Sequence, residues 1–273
     1  MNLDAYLERI GFPGKPSTDL ASLHQLQRLH VRAIPFENLG AFLGEPVKID
    51  LPSLEEKLVQ RRRGGWCFEQ NLLFSHALRA VGFELKTLAA RVRWNVPEGV
   101  TTARSHMLMV VRIAGASYIA DVGFGGLTLT APLRLEAFTE QPTPHEPHRL
   151  IPHGDGYVLE ARVAGAWQGL YVFDLHEQLQ ADYEVSNWYL AHFPQSQFVT
   201  GIIAARADDD VRHALRNTRY QMHFADGRTE RRHLTSVADL KAVLAGPLHI
   251  PLPDAPHLDQ RLQEVIDANP ASP

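Results

Sequence analysis

The 273-residue chain contains one cysteine, Cys67. An intrachain disulfide is therefore excluded, which fits a reducing compartment. No run approaches the roughly eighteen apolar residues that a membrane-spanning helix needs. The opening MNLDAYLERIGF carries Asp4 and Glu8 and no apolar centre, so it does not read as a secretory signal. A basic excess is also missing. Lys and Arg total 27 against 31 Asp and Glu, for a formal charge of -4. That excludes the broad cationic footprint of a protein held on nucleic acid by phosphate contacts. Internal repeats and long low-complexity tracts are absent. The expectation is a soluble, cytoplasmic protein with neither a nucleic-acid nor a membrane partner. The rest of the composition, 45% hydrophobic and 21% charged, is that of an ordinary globular chain. Its length suits one large domain or two to three small ones.

Periodicity divides the chain into helices, then strands, then a mixed end. Leu3, Tyr6, Leu7 and Ile10 share one helical face. Ser17 to Asp19 reads as a helix start, followed by Leu20, Leu23, Leu26, Leu29 and His30 at helical spacing. Pro35 interrupts, and 36–39 reads as a turn or short segment. Ser53 with Glu56 predicts a capping box ahead of Leu54, Leu58 and Val59. Residues 67–81 repeat apolar positions at helical spacing, with Gly82 as the stop. Beyond Gly82 the period becomes two. Strands are predicted over 85–94, 106–113 and 117–122, the last two joined by a turn at 114–116. A further hairpin is predicted from 156–163 and 169–175. The Pro- and His-rich stretch 139–153 reads as a loop. Residues 182–190 read as helix, 198–205 and 220–224 as strands, and 236–244 and 257–268 as helices. The terminal run 269–273 is expected to fray. The sum is an α+β arrangement in three parts.

Chemistry concentrates around the cysteine. In Arg63-Gly64-Gly65-Trp66-Cys67-Phe68-Glu69-Gln70-Asn71 the thiol stands at a predicted helix N-terminus. There, unpaired N–H groups and the helix dipole favour an anion. A nucleophilic thiolate also needs a base and an orienting group; without them, a lone cysteine is a small buried hydrophobe. Of fourteen histidines, His106 is best placed, because it begins a strongly apolar strand. Asp121 ends the next strand. If a two-residue turn joins them, Ile113 opposes Ala116 and Asp121 becomes a diagonal neighbour of His106 on one face. A three-residue turn reverses that parity. The run 122–126 is glycine-rich but lacks the Gly-Lys-Ser/Thr ending of a phosphate loop. Gly125 and Gly126 would let a substrate approach the backbone, with Phe124 as a wall; a mobile turn is the plainer reading. His145, His148 and His153 lack HExxH spacing and a partner cysteine, so they read as flexible loop histidines rather than metal ligands. Arg63 is placed to pair with Glu37. Phe198 reads as a strand aromatic or as a wall of the cleft. The Arg231-Arg232-His233 cluster reads as a solvated face.

These residues resemble the arylamine N-acetyltransferase family, which includes N-hydroxyarylamine O-acetyltransferases. The resemblance rests on the run 63–71, on Pro35-Phe36-Glu37-Asn38-Leu39 upstream, and on Ser105-His106 and Asp121-Val122-Gly123-Phe124-Gly125-Gly126 downstream. It is specific over residues 1–133 and rests on size and order beyond them. It implies a helical domain over 1–83 carrying the nucleophile and a central antiparallel β-barrel over 84–190 carrying the histidine and aspartate. An α/β lid over 191–273 completes the fold, around a cysteine-protease-like Cys-His-Asp core. It further implies Cys67 as nucleophile, His106 as base and Asp121 as orienter. Phe124, Gly125, Gly126 and Phe198 become substrate contacts, and Arg63 with Glu37 a structural pair. Acetyl-CoA would be co-substrate, without a metal. Arylamines, arylhydrazines or N-hydroxyarylamines would be acceptors for a monomer or homodimer. The alternatives are a cysteine-dependent hydrolase or transglutaminase-like enzyme, and a small-molecule binding protein whose cysteine is structural.

Overall fold

The computed structural model describes residues 1–270. The expected fraying at Ala271–Pro273 lies outside the described residues. Helix α1 (Leu3–Ile10) starts where the Asn2 side chain accepts from the Ala5 N–H, and stops at Gly11, whose φ of 69° is left-handed. Helix α2 (Leu20–Ala33) is capped by Asp19, which accepts from the Ser22 N–H as the Ser17–Asp19 signal predicts. Both turn apolar residues inward, among them Tyr6, Leu7, Leu23 and Leu26. Strand β1 (Phe36–Glu37) follows Pro35, then helix α3 (Leu39–Phe42). Helix α4 (Leu51–Leu54) is capped by Asp50, not Ser53, and continues as a π-helical stretch, Glu55–Gln60. The predicted capping box is thus three residues late: Asp50 takes the Ser53 N–H, and Ser53 lies inside the helix.

Helix α5 (Cys67–Val81) is the centre of the largest core cluster. Its first nine residues are all buried, so it behaves as a helix enclosed on every side rather than a surface amphipath. Gly82, at φ 108°, ends it where the sequence places the stop. The barrel-like sheet follows: β2 (Glu84–Val92), β3 (Arg104–Ile113), β4 (Ala116–Ala120), β5 (Leu133–Arg134), β6 (His148–His153), β7 (Gly156–Val163) and β8 (Ala166–Asp174). Among the described residues the strand order is β5-β4-β3-β2-β8-β7-β6, with antiparallel pairing. Bridges from Ala137 to Leu150 and from Gln141 to His148 carry the chain after β5 onto β6, nearly closing the sheet.

Three expectations fail in this region. The second hairpin is longer, with β8 starting at Ala166. Residues 148–153 are a strand, not loop: His148 and Leu150 alternate inward, and Pro152 is tolerated because β6 is an edge strand. His148 is consequently buried rather than flexible.

Helix α6 (Gln180–His192) and helix α7 (Gln197–Thr200) lead to a second sheet. Its strands are β9 (Ile203–Ala207), β10 (Val211–Arg216), β11 (Arg219–Phe224) and β12 (Thr229–His233), ordered β1-β9-β10-β11-β12. Helices α8 (Val237–Ala245) and α9 (Leu258–Ala268) pack on it. The predicted strand over 198–205 is instead a turn of helix capped by Ser196, then Gly201, then β9. Strand β12 carries the exposed Arg231-Arg232-His233 cluster and escaped sequence reading because it has no buried alternation. Strand β1, from the helical first segment, forms the other edge of this last sheet, Phe36 opposite Ala205. No described helix is long and apolar enough to cross a membrane.

Candidate active site

The glycine pair before Cys67 is required by close approach. A Cβ on Gly64 would lie 2.2 Å from the Pro35 carbonyl oxygen. The backbone here docks beside β1, with the Glu37 N–H on the Gly65 carbonyl at 3.1 Å and the Gly65 N–H on the Pro35 carbonyl at 3.2 Å. The segment is held further by Arg63, whose Nε and Nη2 both donate to Glu37 Oε1 at 3.0 and 2.6 Å. The predicted Arg63–Glu37 pair is therefore present, with Glu37 buried and Arg63 partly buried. Glu69 accepts from the Trp66 N–H at 3.0 Å, half of a capping box, and starts α5 at the cysteine. Cys67 is 5% exposed, and its Sγ–H donates to the Ser105 carbonyl at 3.6 Å.

The turn after β3 has two residues, Ala114 and Gly115, both at positive φ (49° and 81°). That geometry matches the right-handed twist of a hairpin. Ile113 therefore opposes Ala116, which is the parity that puts Asp121 on the face of His106. His106 Nε2 lies 2.7 Å from Asp121 Oδ2, both side chains being buried. The Asp121 carboxylate is saturated with donors. Oδ2 also accepts from the Tyr171 hydroxyl at 3.0 Å, and Oδ1 accepts from Asn71 Nδ2 and the Gly123 N–H, both at 2.9 Å. Burial alone would raise this carboxyl; the charge and bond of His106, then Asn71 and Gly123, reverse that and hold it below its ordinary value. Burial alone would likewise lower His106; the Asp121 charge and bond, with the Cys67 thiol adding to them, lift it from 6.5 to about 10. Burial, followed by the Asp121 charge, pushes the Tyr171 phenol well above its ordinary value, so it stays a neutral donor.

Aromatic rings wall the constellation. Phe124 stands edge-on to His106 at 5.2 Å, and Tyr171 lies 4.9 Å from it. Phe198, on α7, packs edge-on to Trp66 at 5.2 Å and tilts against Phe36 at 6.4 Å. Gly125 (φ 85°) turns the chain back so that the Thr128 N–H donates to its carbonyl at 3.1 Å. Gly126 faces Ala214 of β10. The structure thus brings Cys67, His106, Asp121 and Phe124 together, with Phe198 beside the tryptophan that precedes the cysteine.

Three contributors were missed by sequence reading. Asn71 stands one helical turn after Cys67 on the same face; besides Asp121 it bonds the Met107 carbonyl at 2.7 Å and accepts from the Val122 N–H at 3.0 Å. That spacing was a usable signal. Tyr171 and Gln27 carried none, since their link to Asp121 depends on how the strands and α2 pack. Gln27 Nε2 donates to the Asp121 carbonyl at 3.3 Å and the Leu129 carbonyl at 3.0 Å. Among the described residues no group of three or more His, Cys, Asp or Glu is disposed to hold a metal ion.

Comparison with known proteins agrees in sequence and in shape. A family profile described as N-acetyltransferase matches residues 19–256. The arylamine N-acetyltransferase of Mycolicibacterium smegmatis is 42% identical over 98% of this chain and 99% of its own. The arylamine N-acetyltransferase / N-hydroxyarylamine O-acetyltransferase of Salmonella typhimurium is 38% identical over 93% of this chain and 91% of its own. The solved structure of Mycobacterium marinum arylamine N-acetyltransferase in complex with CoA superposes with a TM-score of 0.93 at 39% identity, covering 97% of this chain and 99% of that one.

Proposed function

The chain belongs to the arylamine N-acetyltransferase family, and we propose that Cys67 carries the acetyl group between its two substrates. The reaction is acetyl-CoA-dependent transfer to an arylamine. The observation that carries the cysteine mechanism is the hydrogen-bonded pair His106–Asp121 next to a thiol at the start of α5.

His106 takes the thiol proton, and the Asp121 carboxylate stabilises the resulting imidazolium. The Cys67 sulfur attacks the acetyl carbonyl carbon of acetyl-CoA. A tetrahedral oxyanion forms, for which the first-turn N–H groups of α5 are ready donors. Collapse breaks the carbon–sulfur bond to CoA; the CoA sulfur takes the proton from His106 and leaves, and the acetyl group stays on Cys67. The amine then attacks the acetyl-cysteine. The carbon–Cys67 sulfur bond breaks, His106 collects the proton lost by the amine, and the free enzyme returns. One nucleophile serving two substrates in turn requires ping-pong kinetics.

The surroundings favour an amine over water as the second attacker. Cys67 is nearly enclosed; Phe124 and Tyr171 flank His106, and Phe198 packs on Trp66, the residue before the cysteine. Aromatic walls of this kind suit a flat aromatic acceptor. In this reading Phe124, Gly125, Gly126 and Phe198 contact the acceptor, and Arg63–Glu37 supports the cysteine's backbone. The helical first part supplies the nucleophile, the barrel supplies His106 and Asp121, and the α/β last part covers the cleft as a lid. Arylhydrazines and N-hydroxyarylamines, whose attacking atoms resemble an arylamine nitrogen, are further acceptors.

The test is a single turnover without amine. Mixed with acetyl-CoA, the wild type releases one equivalent of CoA and gains the mass of one acetyl group on Cys67; Cys67→Ala does neither. Acetylation of an arylamine by Cys67→Ala at near wild-type rate would overturn the assignment.

A further inference from the structure

A second, unrelated cavity lies on the face of α2 turned away from Asp121. Gln27 bonds the Asp121 carbonyl from one side of that helix. Leu29, Arg32 and Ala33, which line the cavity, are rotated from Gln27 by about 140–240° at 100° per residue. The groove holds about 650 Å³ and is closed at its other walls by the end of α1, by Arg62 and by the segment around His249.

Its charge is unbalanced. Four arginines line it, Arg9, Arg32, Arg62 and Arg206, against Glu8 and Asp208. Arg206 and Arg32 are compensated: Arg206 Nη2 reaches Asp208 at 2.8 Å, and Arg32 reaches Asp208 through Nε at 3.4 Å and Asp209 through Nη1 at 3.3 Å. Arg9 and Arg62 have no carboxylate partner among the described residues. Arg9 is only 7% exposed, and its two bonds run to backbone carbonyls, Nε to Leu58 at 2.9 Å and Nη2 to Arg62 at 3.2 Å. Its guanidinium is therefore fixed in place, uncompensated, with Nη1 left over. Arg62 is exposed and holds a left-handed backbone, φ 53°, which lets its carbonyl serve Arg9 while its side chain stays free.

Holding a buried guanidinium beside a second cation costs free energy that an anion offsets. Burial, with Arg62 adding to it, lowers Arg9 from 12.5 to about 10, the direction expected of a cation short of counter-charge. The guanidinium fork matches phosphate oxygens and binds them through paired, charge-assisted hydrogen bonds. The volume lies within the range of small-molecule sites. We infer that this groove binds a small phosphate-bearing anion, with Arg9 as the fixed donor and Arg62 as the mobile one. The site is separate from the acetyl-transfer cleft and does not depend on the mechanism proposed for it.

Titration calorimetry with inorganic pyrophosphate tests the inference, with saturating CoA in the cell so that the transfer cleft is filled. The wild type should bind one saturable equivalent. Arg62→Glu should weaken it at least about tenfold, since it replaces a charge-assisted bond by repulsion. Glu8→Gln, which removes a repelling carboxylate from the rim, should tighten it a few-fold. Both variants should acetylate an arylamine normally. Absence of saturable heat, or equal affinity in Arg62→Glu, would each overturn the site. Tighter binding of citrate than of pyrophosphate would overturn the phosphate class. Should Arg62→Glu fold poorly, Glu8→Gln decides alone, because unchanged or weaker binding there contradicts an anion held in this groove.

Discussion

Gly123→Ala should shift Cys67 away from His106 while adding only a methyl group. Gly123 follows Asp121 by two residues, and its N–H is one of the four donors to that carboxylate. Its backbone presses on the start of α5. A Cβ built there would sit 2.8 Å from the Cys67 Cα, 2.8 Å from Asn71 Nδ2 and 3.0 Å from the Cys67 carbonyl oxygen. Carbon atoms rest comfortably at about 3.5–4.0 Å, so the helix start and the aspartate loop must separate by about 0.7–1 Å. None of the three obstacles is a flexible chain end, because Asn71 is pinned by Met107, Asp121 and Val122. A misplacement of about 1 Å between reacting groups costs on the order of 10²-fold in rate, equivalent to about 2.7 kcal/mol. Overpacking of this kind costs about 1–3 kcal/mol of stability, leaving most of the protein folded at 25 °C. The assay is steady-state acetyl transfer to an arylamine alongside thermal unfolding. The expected result is kcat/KM down about a hundredfold in a folded protein. A near wild-type rate would refute the claim that contact between the two segments sets the Cys67–His106 geometry.

The pH behaviour follows from His106. Its folded value, about 10, lies above the unfolded 6.5, so its stabilising contribution is complete below 6.5 and is lost as pH rises through about 10. Asp121→Asn removes the charge that lifts the ring and leaves burial to lower it, so the loss of stability between about pH 6.5 and 10 should disappear in urea melts, and the rate should fall about 10²–10⁴-fold, as for loss of an orienting carboxylate. An unchanged pH profile would remove Asp121 from its role. Tyr171→Phe deletes one donor to a buried carboxylate and should cost about 1–3 kcal/mol, read as a loss in kcat with the acceptor KM little changed. Glu37→Ala leaves the Arg63 guanidinium, 11% exposed, without its partner and should cost about 3–5 kcal/mol of stability in denaturant titrations.

Much of the site was legible in the chain because short-range rules encode it. The glycines before Cys67 and the helical period after it place a thiol at a helix N-terminus, and Gly82 ends that helix by turn chemistry. Ala114-Gly115 proves to be a two-residue turn, and a turn of that length leaves one hairpin parity, putting His106 and Asp121 on a common face. The errors came where local pattern was weak or misleading. Strand β6 was hidden by Pro152 and its two histidines, which an edge position tolerates. Phe198 sits in an isolated helical turn too short to show a period, and the exposed β12 shows no alternation.

The sequence by itself therefore determined the helix that starts at Cys67 and the apolar strand that carries His106, since each follows from spacing along a few residues. Only the tertiary structure decided what completes them. Tyr171 reaches Asp121 from 50 residues away and Gln27 from 94. Strand β1 crosses to the last sheet beside β9, and Arg9 meets Arg62 across a groove. Such contacts depend on how finished elements stack, and packing of that kind leaves no periodic trace in the residues that make it.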